Sequence, residues 1–528
     1  MNEKTHKNNP IKAVNTALKD KKTLHVFTLN EDGYRVKEPY TEENVFLTAE
    51  AKSGELPTYD EARTHLPRPI WEGREDVLSC YDRVWELAFE HLRPANGDAR
   101  IISPLIDCAF YDFTFMWDSC FITMFAKYAM HFFDFQSMLD NFYAHQHADG
   151  FICRQLFQSV EGARFSRDDP SSTGPNIFPW VEWEYYQTTK DIERLKKVFP
   201  PLCAYHRWLQ RNRTWQSGAY WSTGLGCGMD NQPRLPSGVD VMCAHGFMTW
   251  LDICAQQYLS ADILIKMSKE LGREQETDWL KEERALLGEL VNNQLWDEKT
   301  AFYYDADRTG NLLGVKSVGA YWTLVAGLVP EHRAERFIAH LDNEKEFKRP
   351  TRIPTLSADH PEYERLGGYW RGGVWAPTNY MVLKGLEKYG YDDLAYEIAC
   401  NYLETVVEVF KNTGTVYENY SPEEKRQGFP ALDEFVGWTG LAPISVLLEY
   451  VFGIRPQAQE RKIVWRINRL EKHGVQRYPL GDATVELVCE SRSTLEEKPC
   501  VTIKSDRPIT VELVWQGGAE TITVKPEI

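Results

Sequence analysis

At 528 residues with 43% hydrophobic side chains, the chain exceeds the usual length of one domain and has material for a large core. Its 60 Lys and Arg face 77 Asp and Glu, a net charge of −17, so it carries no general electrostatic footprint for nucleic acid or an anionic membrane. No run of about 18 apolar residues predicts a membrane span. The start Met1–Lys7 lacks the apolar stretch of a signal peptide, and eleven scattered cysteines form no C-x-x-C pair, which together predict reduced thiols in the cytoplasm.

Residues 1–70 read as irregular or part-stranded, with turn chemistry at Asn30-Glu31-Asp32-Gly33 and prolines at 57, 67 and 69. Helical periodicity begins near Asp76, where Val77, Leu78, Tyr81, Val84, Trp85 and Ala88 return on one face. Further helices are predicted over roughly 117–130, 134–145, 192–212, 245–271, 275–295, 331–341, 377–389, 391–411 and 436–451. Gly272 and Gly390 sit where helices should stop, whereas Ser260 and Asp262 suggest a break inside a long one. Ten to twelve helices, with the richest loops between alternate pairs, predict two concentric helical rings, an (α/α)6 barrel over 71–454; a solenoid is the competitor. After Arg455, alternating runs at 462–467, 483–488, 500–504, 509–514 and 520–524 predict a small antiparallel β domain, 455–528, of sandwich type.

The chemistry concentrates in two acidic segments. Gly226-Cys227-Gly228-Met229-Asp230-Asn231-Gln232-Pro233-Arg234 places an Asp in a glycine-rich loop, and Tyr417-Glu418-Asn419-Tyr420 places a Glu among aromatics. One carboxylic acid that protonates a leaving oxygen and one carboxylate that activates water are what an inverting glycosidase requires. Aromatic residues are 13% of the chain, with 17 Trp, clustered in loop-like sequence at 115–119, 180–186, 368–375 and 437–440. Sugar rings lay their C–H faces on such planes while their hydroxyls need carboxylates and amides. A single Trp is more often a core residue, and Asp230 alone would read as a turn residue; the set carries the carbohydrate reading.

These segments, in this order over 75–453, resemble the inverting α/α-barrel glycosidases of glycoside hydrolase family 63, in particular their bacterial mannosylglycerate-hydrolase-like branch, with trehalases as more distant relatives. The resemblance implies Asp230 as general acid and Glu418 as general base. It implies Trp117 and Asp118 as contacts to the sugar in the cleaved subsite, an aromatic lining of Tyr369, Trp370, Trp375 and Trp438, and Gln155 as a polar sugar contact. Asn231 and Arg234 are candidate contacts to substrate or loop; Arg234 reads equally as the structural partner of a barrel carboxylate. The expected partner is a small carbohydrate, with an α-glucosidic or α-mannosidic bond cleaved. The mechanism requires no cofactor or metal, and oligomeric state is left open. The chain departs from the family at Ser421-Pro422-Glu423 and at Gly373, where many relatives carry Pro.

Inverting chemistry expects Asp230 protonated through burial or a nearby anion, and Glu418 kept ionised by Asn419 and hydroxyls. Competing features weigh less. His145 and His147 lack the further ligands a zinc site needs. Glu182 and Glu184 point in different directions on a helix, and Asp433 and Glu434 read as helix N-terminal acids. An α/α-barrel epimerase would need paired His, and a catalytically inactive carbohydrate-binding protein is the third reading.

Overall fold

The computed structural model describes residues 27–30, 33–107, 112–235 and 238–526. The part of the N-terminal segment before residue 27, and Glu31 and Asp32 of the expected turn, lie outside these; Asn30 and Gly33 on either side are paired antiparallel. Among the described residues, twelve helical elements build two rings. We label them α1 (Glu75–Glu90), α2 (Met116–Ala126), α3 (Asp140–Ala144), α4 (Phe178–Thr189), α5 (Ile192–Asn212) and α6 (Leu251–Glu270). The second half continues as α7 (Asp278–Gln294), α8 (Trp322–Ala326), α9 (Glu331–Ile338), α10 (Ala376–Lys388), α11 (Asp392–Thr413) and α12 (Leu441–Val451).

The even-numbered helices close a ring, because α2 packs on α4, α4 on α6, α6 on α8, α8 on α10, α10 on α12 and α12 back on α2. The odd-numbered helices lie outside, with α5 and α7 against α6, and α11 and α1 against α12. Burial follows from position. Every residue of α2 and α12 is buried, while α1 buries only its Val77, Cys80, Tyr81, Val84, Trp85 and Ala88 side among others. An inner helix touches protein all round, so it needs no polar stripe. The expected barrel is therefore present, and its outer helices match the periodic segments closely.

Several expectations are corrected. Residues 180–186 are not loop but the middle of inner helix α4. Ser260 and Asp262 do not break α6: Ser260 Oγ hydrogen-bonds His206 Nδ1 at 2.7 Å and accepts from Asn176 Nδ2 at 3.0 Å, so its polarity is used across helices. The last expected helix is split, with a turn at Val436–Thr439 followed by α12, wound wide enough that Phe452 N–H reaches Leu447 O. Gly272 and Gly390 do follow helix ends, at φ +67° and +75°.

The β unit comprises two four-stranded sheets. One orders β2 (Ile454–Gln457), β3 (Lys462–Arg466), β7 (Ile509–Trp515) and β8 (Gly518–Val524); the other orders β6 (Val501–Ser505), β5 (Ala483–Cys489), β4 (His473–Leu480) and β1 (Arg68–Trp71). Pairing is antiparallel except for β3 with β7, which run parallel. Strand β1 comes from before the barrel, pairing Trp71 with His473, so the β unit draws on both ends of the barrel segment. Residues 37–66 pack on the outer helices: Glu38 is buried against Arg207 and Arg211, and Asn44 Nδ2 donates to Tyr143 O and Gln146 Oε1. None of them lines the cavity described below, so this part does not form its rim.

A charged cluster lies within the helices. Glu449 on α12 is buried with Lys127 at 3.2 Å and Lys384 at 3.0 Å, and accepts from Tyr128 and Tyr380 hydroxyls at 2.8 Å each. Burial works against its charge, but the two ammonium groups win and hold its pKa down at about 2. Glu449→Leu leaves buried Lys127 without its counterion, while Lys384 keeps Glu184 at 2.8 Å, and is expected to cost about 3–5 kcal/mol in urea unfolding. A loss below about 1 kcal/mol would mean the cluster does not hold the ring.

Candidate active site

A cavity of about 770 Å³ opens where α2, α10 and α12 begin. Trp117 and Asp118 stand in the first turn of α2, Trp375 immediately precedes α10, and Trp438 precedes α12. Of the sequence-predicted residues, Trp117, Asp118, Gln155, Asp230, Tyr369, Trp370, Glu418 and Trp438 line this cavity together. Trp375, Asn231 and Arg234 do not.

Asp230 follows a helical turn, Gly224–Cys227, that ends at Gly228 with φ +80°. A Cβ on Gly228 would lie 3.1 Å from the Trp117 indole, so glycine serves both the left-handed turn and the approach to that ring. Burial pushes the Asp230 carboxyl up to about 6, opposed in part by the Arg154 guanidinium. Arg154 itself is fixed by Nε donating to Ser171 O at 2.8 Å and by stacking over Phe165 at 4.4 Å.

Glu418 is held at both ends. Its N–H donates to Leu432 O at 2.9 Å, and its carbonyl accepts from Trp438 Nε1 at 2.8 Å. Its carboxylate accepts from Tyr369 Oη at 3.1 Å and from Leu432 N–H at 3.3 Å. Burial nonetheless raises it to about 7, with Asp118 and Asp230 adding to the rise. Of the groups expected to keep it ionised, the Tyr369 hydroxyl is in place. Asn419 does not solvate it, because its Nδ2 donates to Pro430 O instead. Two hydrogen bonds do not offset the loss of water and the neighbouring carboxylates.

Asn231 acts on the loop that carries Tyr369. Its Nδ2 donates to Gly368 O at 3.0 Å and its Oδ1 accepts from Trp370 N–H at 2.9 Å. Between these two anchors Tyr369 takes φ +66°, a left-handed conformation uncommon for a bulky residue, with its hydroxyl on Glu418. The residue after one carboxylate is thus tied to the residue that hydrogen-bonds the other. Trp375 is fully buried beneath Trp370, rings 3.9 Å apart and 4° from parallel, and its Nε1 donates to Tyr369 O at 3.2 Å. It backs the aromatic wall and does not face the cavity.

Of the two readings held open for Arg234, its contacts match the structural one, partner of barrel carboxylates, and it does not line the cavity. It is buried, with Asp252 at 2.6 and 2.8 Å and Asp305 at 2.7 and 2.8 Å, its guanidinium stacked on Trp250. Glu182 is likewise structural, accepting from Arg194, Tyr143 and Gln136, and Glu184 pairs with Lys384 rather than facing solvent. Asp433 and Glu434 are exposed just ahead of the Val436–Thr439 turn. His145 Nδ1 bonds Asn141 O, and among the described residues no three His, Cys, Asp or Glu side chains gather as a metal site.

The family departures are accommodated locally. Glu423 accepts from Arg349 and Tyr363 at 2.8 Å, pinning the loop after Glu418. Gly373 N–H donates to Gly367 O and Tyr369 O, and a Cβ there would lie 2.3 Å from Tyr369 O, so a proline does not fit this turn. Sequence reading missed Arg154, Arg164, Phe113 and Phe165 as lining residues. Arg154 adjoins predicted Gln155; the other three stand in no motif.

The ring of helices and the paired buried carboxylates define a glycoside hydrolase. A family model described as "Mannosylglycerate hydrolase MGH1-like glycoside hydrolase domain" matches residues 111–429, and the chain belongs to that family. A mannosylglycerate hydrolase of Thermus thermophilus is 25% identical over 362 residues, 56% of this chain and 86% of the relative. A probable mannosyl-oligosaccharide glucosidase of Schizosaccharomyces pombe is 24% identical over 295 residues, 49% of this chain and 35% of the relative. The solved structure of a family 63 mannosylglycerate hydrolase from Thermus thermophilus in complex with glucose superimposes with TM-score 0.56 at 21% identity, covering 69% of this chain and 99% of that one. A neutral trehalase from Saccharomyces cerevisiae shares the fold at TM-score 0.52 and 13% identity, over 65% of this chain and 73% of that one.

Two outcomes test this geometry. Asn231→Ala is expected to lower kcat at least about ten-fold while changing KM little, because it frees Tyr369 without removing a cavity-lining group; an unchanged kcat would contradict the tie. Asp230 and Glu418 have folded pKa values above their unfolded ones, so the protonated forms favour folding at low pH and that advantage is lost as pH rises through about 6 and 7. Asp230→Asn and Glu418→Gln should each be more stable than wild type by about 1–3 kcal/mol at about pH 8, with the difference shrinking towards about pH 4 in urea titrations. A pH-independent difference would contradict the burial argument.

Proposed function

We propose that the protein is an inverting glycosidase that cleaves an α-glucoside or α-mannoside of short length, with Asp230 as general acid and Glu418 as general base. The observation that carries this is the convergence of two buried carboxylates from separate loops on one aromatic cavity, each raised towards neutral pH. No His is among the described lining residues, which removes support from an epimerase that would use paired His.

Near neutral pH two such carboxylates with Asp118 close by favour holding a proton between them. Productive chemistry needs that proton on Asp230. Substrate supplies the bias: the glycosidic oxygen accepts from protonated Asp230, and the attacking water donates to ionised Glu418. Asp230 then gives its proton to the departing oxygen as the anomeric C–O bond breaks. Glu418 takes one from the water that forms the new C–O bond on the opposite face. Tyr369 steadies the Glu418 carboxylate, and Trp117, Asp118 and Gln155 receive the sugar, Gln155 with a buried Nε2 that has no partner among the described residues.

Arg154 and Arg164 line the cavity with no carboxylate in ion-pair contact among the described residues, and Arg154 is beside the acid and therefore on the leaving-group side. Such a pair suits an aglycone with an acidic group, as mannosylglycerate has. The described cysteines are all free thiols, which supports a reducing, cytoplasmic setting. Among the described residues no helix is long and apolar enough to cross a membrane.

Acid and base separate by leaving group. Asp230→Asn should lose at least about 10²-fold on alkyl glycosides yet retain most activity on the corresponding glycosyl fluoride, whose leaving group needs little proton assistance. Glu418→Gln should lose comparably on both. Equal loss on both substrates for Asp230→Asn would remove it as the acid.

A further inference from the structure

The described chain exposes ten large apolar side chains, and seven of them stand on loops that also wall the cavity. Val160 (54% exposed) tips the hairpin between Gln155 and Arg164. Val239, Met242 and Phe247 (61%) follow the Asp230 turn in the chain; the turn is tied to Val241 and Met242 of this segment by Gly224 N–H to Val241 O and Leu225 N–H to Met242 O, and Phe247 packs on Trp215 and His245. Leu366, Phe429 (70%) and Leu432 lie where Phe429 N–H meets Leu366 O, next to lining residues Pro430 and Ala431. Scattered single exposures are ordinary on a protein surface; concentration on the loops of one mouth is not.

The apolar surface continues inward. Phe113, Phe115, Phe165, Leu225 and Pro430 line the wall, apart from the sugar-contacting set of Trp117, Asp118 and Gln155. Phe165 stacks under Arg154, the guanidinium that acts on the general acid, so this wall belongs to the leaving-group side. A second copy of the chain seated on the collar would close the entrance to the cavity. A flexible apolar tail leaves through it and covers the same side chains.

We propose that the collar receives an apolar tail on the aglycone, beyond the acidic group that Arg154 and Arg164 take, making the substrate class a glycoside of an amphiphilic, lipid-like alcohol; this rests on the glycosidase reading above. The tail runs from the leaving oxygen along the Phe165 and Pro430 walls and out over Phe429 and Phe247. Burying methylenes there adds binding that a short aglycone lacks.

The test is a series of methyl, butyl, hexyl and octyl α-glucosides and α-mannosides below their micelle concentrations, assayed for kcat/KM. The same series is titrated against inactive Glu418→Gln by tryptophan fluorescence, so the tail is read without turnover. From methyl to octyl, kcat/KM for the accepted sugar and affinity for the inactive variant should each rise at least about ten-fold. Phe429→Ser and Phe247→Asn, the latter suited to its φ of +54°, should flatten both rises and leave methyl glycoside turnover unchanged. A flat series with methyl glycoside turned over overturns the tail and leaves the glycosidase reading intact. Chain-length-dependent binding without turnover in wild type supports the tail and overturns that reading. A dimer by light scattering that the two substitutions dissolve, with a flat series, assigns the collar to a second copy and overturns the proposal.

Discussion

Two carboxylic groups that would each rather be in water are kept out of it together, and the fold around them is arranged to hold that condition. Asp230 and Glu418 come from segments far apart in the chain, and no contact in the helical rings alone would fix one against the other. The run from Asn231 to the 368–370 turn, then Tyr369 Oη to Glu418, makes that connection through three hydrogen bonds. Trp375 beneath Trp370 and Gly373 within the turn leave this loop little room to relax. Hydrogen bonds in such a dry setting are strong when satisfied and costly when broken, so the tie is a rigid one.

The barrel serves this site by geometry. Inner helix α2 presents Trp117 and Asp118 of its first turn to the cavity, and the segments leading into α10 and α12 supply Tyr369, Trp370 and Trp438. The outer helices keep the inner ring closed, and buried ion clusters such as Glu449 with Lys127 and Lys384, or Arg234 with Asp252 and Asp305, fix helices and loops to one another. The β unit, with a strand from before the barrel, contributes no lining residue to the cavity.

Sequence reading captured the outer helices because water on one side imposes a rhythm of about 3.6 residues, as in α1 and α5. Inner helices α2, α6, α10 and α12 were read too; α4 was missed because aromatic and acidic residues surround it without a one-sided rhythm, and α8 because it is only one short turn beyond a tighter one. Strand β4 escaped because the pairing shifts between Val475 and Tyr478 and Pro479 interrupts the run. The carboxylates were legible because their segments are chemically unusual. Asn231, Trp375 and Arg234 were not assignable, since amide, indole and guanidinium suit a sugar or a neighbouring loop equally; only placement decides. The hydroxyl expected on Glu418 is there as Tyr369, but Asn419, adjacent in sequence, does not join it because it turns towards Pro430.

The most direct measurement is proton NMR of the anomeric signal during hydrolysis of α-glucosides and α-mannosides by the wild-type protein. With Asp230 and Glu418 acting on opposite faces of the bond, the first sugar to appear must be the β anomer, later equilibrating to a mixture. First appearance of the α anomer would contradict the account, because it requires a covalent intermediate and a different division of labour between the two carboxylates.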